Sequence, residues 1–263
     1  MDLRFAIKYI KYKLTSKHKR GHGIHSPFVF DLIVNVIDNK RSKYYEYPYI
    51  NSLRYKLSKS QRCINVTDYG AGSKMLKTNK RSLKDVLKNS SIKSKYGKLL
   101  FRLVNRFLPE IILEFGTCLG LSTLFLASPN SKAKVFTIEG CPELSKVANE
   151  NFMLFGVKNI KLFTGRFDDI LSGVLTEAKR LDFVFFDGNH TRDATIDYFD
   201  QCLALANENS IFVLDDIHWS AGMEEAWKTI QEYPEVTVTI DLFFMGIIFF
   251  KKSLSKQNFI VRY

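Results

Sequence analysis

From Pro109 onward the apolar positions switch repeatedly between two patterns. Ile111–Phe115 is a short unbroken apolar run ending in a glycine-rich turn, as a buried strand would, and Leu121–Ala127 after it is helical in pattern. Lys134–Ile138 predicts a second strand, closed by Glu139-Gly140. Pro142 then stands where a first helical turn tolerates proline, and the helix runs to about Phe155. Asn159–Phe163, Leu181–Phe186 and Ser210–Leu214 predict three more strands, each followed by a helical stretch: Phe167 to Ala178, Thr191 to Leu205 and Ala221 to Gln231. Val236–Ile240 and Phe243–Phe250 leave no room for a helix between them and predict an antiparallel hairpin. Strands alternating with helices build parallel βαβ units with helices on both faces. The expected fold is a doubly wound, mostly parallel α/β sheet of seven strands with an antiparallel C-terminal hairpin.

The first 108 residues read differently. Leu3, Ile7, Ile10 and Leu14 recur at helical spacing beside Lys8, Lys11 and Lys13. Ser26-Pro27 is a cap followed by a first-turn proline, predicting a helix through Ile37; Phe28-Val29-Phe30 and Leu32-Ile33-Val34 make it apolar on most sides and therefore buried. Helices are also expected near 50–62, 82–89 and 95–107, with Ser58–Ser60 and Thr78–Lys84 as polar, mobile stretches. No internal repeat is present. The organisation expected is a helical extension over 1–108 and an α/β domain over 109–263.

Charge sharpens this division. Of 263 residues, 39 are Lys or Arg and 27 Asp or Glu, a net +12, with 46% hydrophobic, which excludes a disordered chain. Residues 1–108 hold 25 basic and 6 acidic residues, whereas 109–263 hold 14 and 21. All of the excess positive charge is in the extension, which points to an anionic partner, an acidic acceptor or nucleic acid, or else to a solvated helix face. Cys63, Cys118, Cys141 and Cys202 are far apart with no C-x-x-C pair, which fits a reducing compartment and a cytoplasmic location. The first residues reach no apolar core of a secretory signal. The longest apolar run, Leu242–Phe250, is too short to span a bilayer as a helix, so a soluble protein is expected.

Two glycine-rich turns compete as a cofactor site. An adenosine-binding α/β domain needs a buried strand, a tight glycine turn into a helix, and an acid at the end of the next strand to accept ribose hydroxyls. The turn at Glu114-Phe115-Gly116-Thr117-Cys118-Leu119-Gly120-Leu121-Ser122 has all three, with Glu139-Gly140 closing the next strand. Asp68-Tyr69-Gly70-Ala71-Gly72-Ser73 is followed by a Lys/Arg/Ser-rich stretch and reads as a structural turn, or as a loop over the site. The spacing is G-x-x-x-G, with Cys118 where a dinucleotide fingerprint would carry its middle glycine. Glu114 lies two residues before the turn and suits a cofactor with an ammonium and no phosphate. S-adenosylmethionine is such a molecule, and NAD(P) fits less well.

The stretches EFGTCLGLST, VFTIEG, LDFVFFDGNH and IFVLDDIHW, in this order, resemble the class I S-adenosylmethionine-dependent methyltransferases, and most closely the O-methyltransferase branch that includes catechol O-methyltransferase. The resemblance covers residues 110–250, about half of the chain, and implies a Rossmann-like methyltransferase fold. It implies that Glu114 and the turn with Gly116, Thr117 and Gly120 hold the methionine end, with Ser122 at the helix start. Glu139, with Gly140, would bind the ribose, Phe167 and Asp168 would flank the adenine, and Asp187 would face the cofactor.

At the ends of the fourth and fifth strands stand Asp187-Gly188-Asn189-His190 and Asp215-Asp216. Carboxylates gathered closely need a cation or a proton to compensate them, and their oxygens suit Mg²⁺ or Mn²⁺. The resemblance implies a divalent ion on Asp187, Asp215 and Asp216 that chelates the acceptor hydroxyl, although Asp216 stands where the family usually has Asn. The alternative is that these acids cap turns and order the loop. His190, where relatives carry a lysine base, reads either as the base that accepts the hydroxyl proton or as a helix cap. His218 and Trp219 read as pocket-lining or packing residues.

The fourth strand reads FFDGNH and lacks the Asn/Asp-Pro-Pro-aromatic signature of amino-directed enzymes. The acceptor expected is therefore a hydroxyl of a small-molecule or glycan-like compound. The rivals are an RNA methyltransferase, with Tyr44, Tyr45, Tyr47 and Tyr49 stacking on bases, and a non-catalytic S-adenosylmethionine- or RNA-binding module.

Overall fold

The computed structural model describes residues 3–16, 18, 21–39, 43–67 and 79–263. They divide into two compact units, residues 1–41 with 181–263, and residues 42–180, so that neither boundary falls at 108.

The first unit opens with helix α1 (Leu3–Thr15). Its aromatic positions are the ones that pack: Phe5 and Tyr9 lie 5.3 and 5.0 Å from the Phe243 ring, and Tyr12 is buried. Ile7, Ile10 and Leu14 face outward, because the larger aromatic side chains remove more surface from water. Helix α2 (Pro27–Leu32) starts as the sequence predicts, with Ser26 Oγ accepting from the Val29 amide and Pro27 in the first turn. The helical run reaches Ile37 as expected, but Ile33–Ile37 is π-helical. Val29, Leu32, Ile33, Val36 and Ile37 are buried there.

In the second unit, α3 (Glu46–Lys59) precedes a short antiparallel pair, β1 (Cys63–Asn65) and β2 (Lys80–Ser82), and then α4 (Leu83–Ser90) and α5 (Ser94–Phe107). The helix expected near 50–62 thus lies earlier, with Pro48 inside its first turn, where proline loses no hydrogen bond. Ser58 and Lys59 close α3 rather than forming a polar loop, and Lys80–Lys84 is β2 running into α4. The glycine turn at 68–73 and Thr78 lie outside the described residues. Tyr44 and Tyr47 pack on Phe101, at 4.7 and 5.0 Å, so two of the four tyrosines considered for base stacking serve the core.

Three parallel strands follow with their helices: β3 (Ile111–Phe115), α6 (Leu121–Ala127), β4 (Lys134–Glu139), α7 (Pro142–Phe155), β5 (Ile160–Thr164) and α8 (Phe167–Ala178). α5 lies close against α6, where a side chain added at Gly97 would meet the Phe125 ring at 2.3 Å.

The first unit resumes with β6 (Leu181–Phe186), α9 (Arg192–Leu203), β7 (Ala206–Asp215), α10 (Ala221–Glu232), β8 (Val238–Asp241), β9 (Met245–Phe249) and β10 (Gln257–Ile260). β6 and β7 run parallel; β9 pairs antiparallel with both β7 and β8, as the hairpin predicts. β10, parallel to β8, makes eight strands of this α/β layer where seven were expected. It is a short, mostly exposed stretch of two polar and two apolar residues without a core-facing pattern, followed by buried Val261. Phe199, Phe212 and Phe250 cluster edge to face between β7 and α9, with Phe199–Phe212 at 5.6 Å and Phe212–Phe250 at 4.9 Å.

Candidate cofactor cradle and strand-end acids

β3 ends in a turn built on three left-handed residues, Gly116 (φ +89°), Cys118 (φ +50°) and Gly120 (φ +78°). The amides of Gly116 and Thr117 both donate to the Ile138 carbonyl, at 3.0 and 3.2 Å, so the turn folds back onto the tip of β4. Gly120 caps α6, and a Cβ there would lie 2.5 Å from the Phe152 ring of α7. Asn151 of α7 holds the turn from the same side by donating to the Leu119 carbonyl at 2.9 Å. Gly120→Ala should therefore cost about 1–3 kcal/mol through overpacking alone and weaken cofactor binding. Thermal unfolding and calorimetry read the two effects.

Glu139 is the seat of this arrangement. Its carboxylate is buried and accepts two backbone amides, Cys118 N at 2.8 Å and Cys141 N at 2.8 Å. One side chain thus ties the glycine turn to the start of α7. A carboxylate has about four lone-pair sites, so the oxygens that hold these amides retain capacity for ribose hydroxyls. The Glu139 carbonyl accepts from Gly165 N at 3.0 Å, which brings the loop before α8 to the tip of β4. Phe167 follows, edge-on to Phe115 at 5.3 Å, while Asp168 is exposed and paired with Arg166 at 3.2 Å. The turn, Glu139 and Phe167 therefore stand together at the carboxyl ends of β3, β4 and β5, where an α/β sheet binds ligands.

Glu114 is placed differently. It is fully buried, and its Oε2 accepts from Thr123 Oγ1 and, at 2.7 Å, from Thr137 Oγ1. The register pairs Glu114 with Thr137 across β3 and β4, and Thr117 Oγ1 lies 2.6 Å from Thr137 Oγ1. This carboxylate braces the turn from below. Ser122 is buried in the first turn of α6 and Gly140 follows the tip of β4. The threonine brace escaped the sequence reading, although a Thr opposite an acid in neighbouring strands was its signal.

In the other unit, the β6–β7 register sets Phe186 against Leu214, so Asp187 and Asp215 follow side by side at the ends of neighbouring strands. Asp216 takes a left-handed backbone (φ +54°) with its amide bonded to the Phe244 carbonyl at 2.6 Å, and Asn189 is also left-handed (φ +58°). His190 Nε2 lies 3.5 Å from Asp187 Oδ1. Burial pulls the imidazole pKa down, but hydrogen bonding to Asp187 and the charges of Asp187 and Asp216 outweigh it and leave the pKa raised. His190 and Asp187 thus form a close pair beside the ends of these two strands. Among the described residues no group of three or more His, Cys, Asp or Glu side chains is arranged to hold a metal ion. Asp187, Asp215 and Asp216 do not form such a group.

His218 does not stand open as a pocket residue. Its Nδ1 lies 3.0 Å from Glu224 Oε1, its Nε2 2.8 Å from Asp241 Oδ2, and its ring centroid 5.1 Å from that of Phe243. Lys8 of α1 bonds the other oxygen of Glu224 at 2.8 Å. Burial lowers the His218 pKa, but the Asp241 and Glu224 carboxylates more than reverse this and raise it. The folded state thus holds the proton more tightly than the unfolded chain. The stabilisation is complete below the ordinary value of 6.5 and is lost as pH climbs through the raised one. Removing one partner of such a pair costs about 3–5 kcal/mol when buried; for this partly exposed ring, His218→Ala should cost about 2–3 kcal/mol at pH 6 and less at pH 9. Denaturant unfolding at the two pH values checks this.

Residues 113–217 match the family model described as "Methyltransferase domain". The O-methyltransferase imqG of Aspergillus flavus is 29% identical over 126 residues, covering 46% of this chain and 48% of the relative. A catechol O-methyltransferase of Niastella koreensis is 29% identical over 130 residues, covering 48% and 58%. The chain spans about half the length of these curated relatives. Among solved structures, an O-methyltransferase from Bacillus cereus in complex with SAH superposes with a TM-score of 0.57 at 19% identity, covering 82% of this chain and 95% of that one. This likeness shows the fold, a Rossmann-like α/β sheet flanked by helices. No helix among the described residues is long and apolar enough to cross a membrane.

Proposed function

We propose that this chain, whose residues 113–217 match the methyltransferase-domain model, is a class I S-adenosylmethionine-dependent methyltransferase of the catechol O-methyltransferase-like branch and transfers a methyl group from S-adenosylmethionine to a hydroxyl of a small-molecule or glycan-like acceptor. The observation that carries the reading is the Glu139 seat, a buried carboxylate anchored by the Cys118 and Cys141 amides beneath a left-handed glycine turn. When bound, S-adenosylmethionine supplies a methyl on a positively charged sulfur, already activated toward attack by oxygen. The residues here supply binding and proton transfer. Glu139 accepts the ribose hydroxyls, Gly116–Gly120 and Ser122 cradle the methionine end, and Phe167 covers the adenine. Glu114 acts through Thr123 and Thr137 by fixing the turn.

His190, in its neutral form, takes the proton of the acceptor hydroxyl as the oxygen attacks the methyl carbon. The bound cofactor would give up this methyl carbon and keep the electron pair of the carbon–sulfur bond on its sulfur. Asp187 orients the imidazole and stabilises the imidazolium that forms. The strand-end acids form no metal-holding group among the described residues, so no step is routed through a metal, and chelation with EDTA should leave turnover unchanged. A strand end without the amino-directed signature supports oxygen as the acceptor atom. Two of four tyrosines spent on the core speak against a base-stacking surface. The test is mass spectrometry of phenolic and glycan acceptors incubated with chain and cofactor. The gain of one methyl group on oxygen with release of S-adenosylhomocysteine supports the proposal, and methylation confined to RNA refutes it.

A further inference from the structure

Helix α1 has two apolar faces, and the fold buries one of them. Phe5, Tyr9 and Tyr12 lie against Phe243, and the Tyr12 hydroxyl donates to the Val261 carbonyl at 2.6 Å and accepts from Tyr263 N at 3.0 Å. Lys8 closes on Glu224 at 2.8 Å. These attachments fix the rotation of the helix about its axis. The rotation turns Ile7, Ile10 and Leu14 outward, with 57%, 58% and 81% of their surface exposed. A single exposed aliphatic is ordinary. Three at positions i, i+3 and i+7 form a continuous stripe along one side of the helix.

The borders of the stripe are basic. At 3.6 residues per turn, Lys11 projects about 40° from Ile7 on one side, while Lys13, on the other, is half-buried and bonds the Tyr263 carbonyl at 3.2 Å. Lys11 is exposed, and the first twenty residues carry seven Lys or Arg against one Asp. An apolar centre with cationic borders is the complement of an anionic bilayer surface. The headgroup–acyl boundary accepts the aliphatic side chains, and lipid phosphates accept the ammonium groups. The other occupants match less well. A second copy of this helix would bring basic borders against basic borders, and a nucleic acid would take the lysines but leave three aliphatic side chains in water.

We propose that α1 is an interfacial helix that docks this chain onto anionic lipid surfaces through Ile7, Ile10, Leu14 and Lys11. Three aliphatic residues bury little area, so the attachment is reversible and depends on charge as well as on the stripe.

The experiment is co-sedimentation of the full chain with vesicles of phosphatidylcholine alone and of phosphatidylcholine mixed with phosphatidylglycerol. The expected result is binding to the mixed vesicles only, released by added salt as the lipid charge is screened. The triple variant Ile7→Ser, Ile10→Ser, Leu14→Ser should lose binding at least about tenfold, and Lys11→Ala about fivefold. Because these side chains already face solvent, both variants should keep the wild-type unfolding midpoint and S-adenosylmethionine affinity, which separates a lost docking face from a lost fold. Failure of the wild type to bind anionic vesicles would overturn the proposal. So would undiminished binding by the triple variant. Stripe-dependent dimers in light scattering without vesicle binding would assign the face to a second copy instead, and equally overturn it.

Discussion

Replacing Glu139 by alanine should raise the S-adenosylmethionine dissociation constant at least about a hundredfold and lower stability by about 3 kcal/mol, because two charge-assisted amide bonds of about 1.5–3 kcal/mol each are lost with the ribose acceptor. Cys118 and Cys141 are held by this one carboxylate at 2.8 Å each. Its removal frees the apex of the glycine turn, whose left-handed Cys118 is uncommon backbone for a side chain with a Cβ, and it uncovers two buried donors. Glu139→Gln keeps the shape but turns an NH₂ toward one of the two amides, so it should fall between alanine and wild type in both readouts. Calorimetric titration and denaturant unfolding of the three proteins measure this series. Wild-type affinity in the alanine variant would show that the cofactor does not use this seat.

The second large effect falls on turnover. His190→Gln should lower it by about 10²–10⁴, the usual worth of a positioned general base, while cofactor affinity stays at the wild-type value. The base acts only when neutral, and its pKa is raised by Asp187 and Asp216 against the opposing pull of burial. Wild-type turnover should therefore rise as pH climbs through that raised value and be suppressed below it, whereas the Gln variant should show no such limb. Asp187→Asn removes the nearest of the raising charges, so its limb should move to lower pH; a purely structural role for Asp187 would lower the rate without moving the profile. Single-turnover rates across pH for the three proteins distinguish these outcomes.

Most of the α/β layer is legible in the sequence because its signals are local. Ile111–Phe115 is an unbroken apolar run, Gly116 and Gly120 supply the left-handed turn, and Pro142 marks the start of α7, so strand, turn and helix follow from neighbours in the chain. What escapes such reading depends on distant partners or on weak patterns. β10 has four residues, two polar and two apolar and mostly exposed, and β1 and β2 have three residues each, too few to show alternation. The face of α1 that packs was settled by Phe243 and Val261, far along the chain, and no helical periodicity names them.

The site divides in the same way. Glu139 is recognisable from its place at the end of a strand, whereas its role as an anchor needs the fold to bring Cys118 back to it. Glu114 reads from sequence as a ligand for an ammonium group. The register adds Thr137 opposite it, which donates to its Oε2. Asp187, Asp215 and Asp216 read either as metal ligands or as caps of their turns because spacing shows carboxylates gathering, and it takes the folded loop to show His190 Nε2 within 3.5 Å of Asp187 Oδ1. His218 and its two carboxylates are separated by six and twenty-three positions, so their cluster appears only in three dimensions.

The central claim is that the turn from β3 to α6, with Glu139 beneath it, binds S-adenosylmethionine. Isothermal titration of the full chain with S-adenosylmethionine, and in parallel with NAD, tests it most directly. The expected result is a single site for S-adenosylmethionine in the range of about 1 μM to 1 mM common for enzyme ligands, with no heat from NAD and with the signal lost in Glu139→Ala. An absence of S-adenosylmethionine binding throughout that range, or tighter binding of NAD, would contradict it.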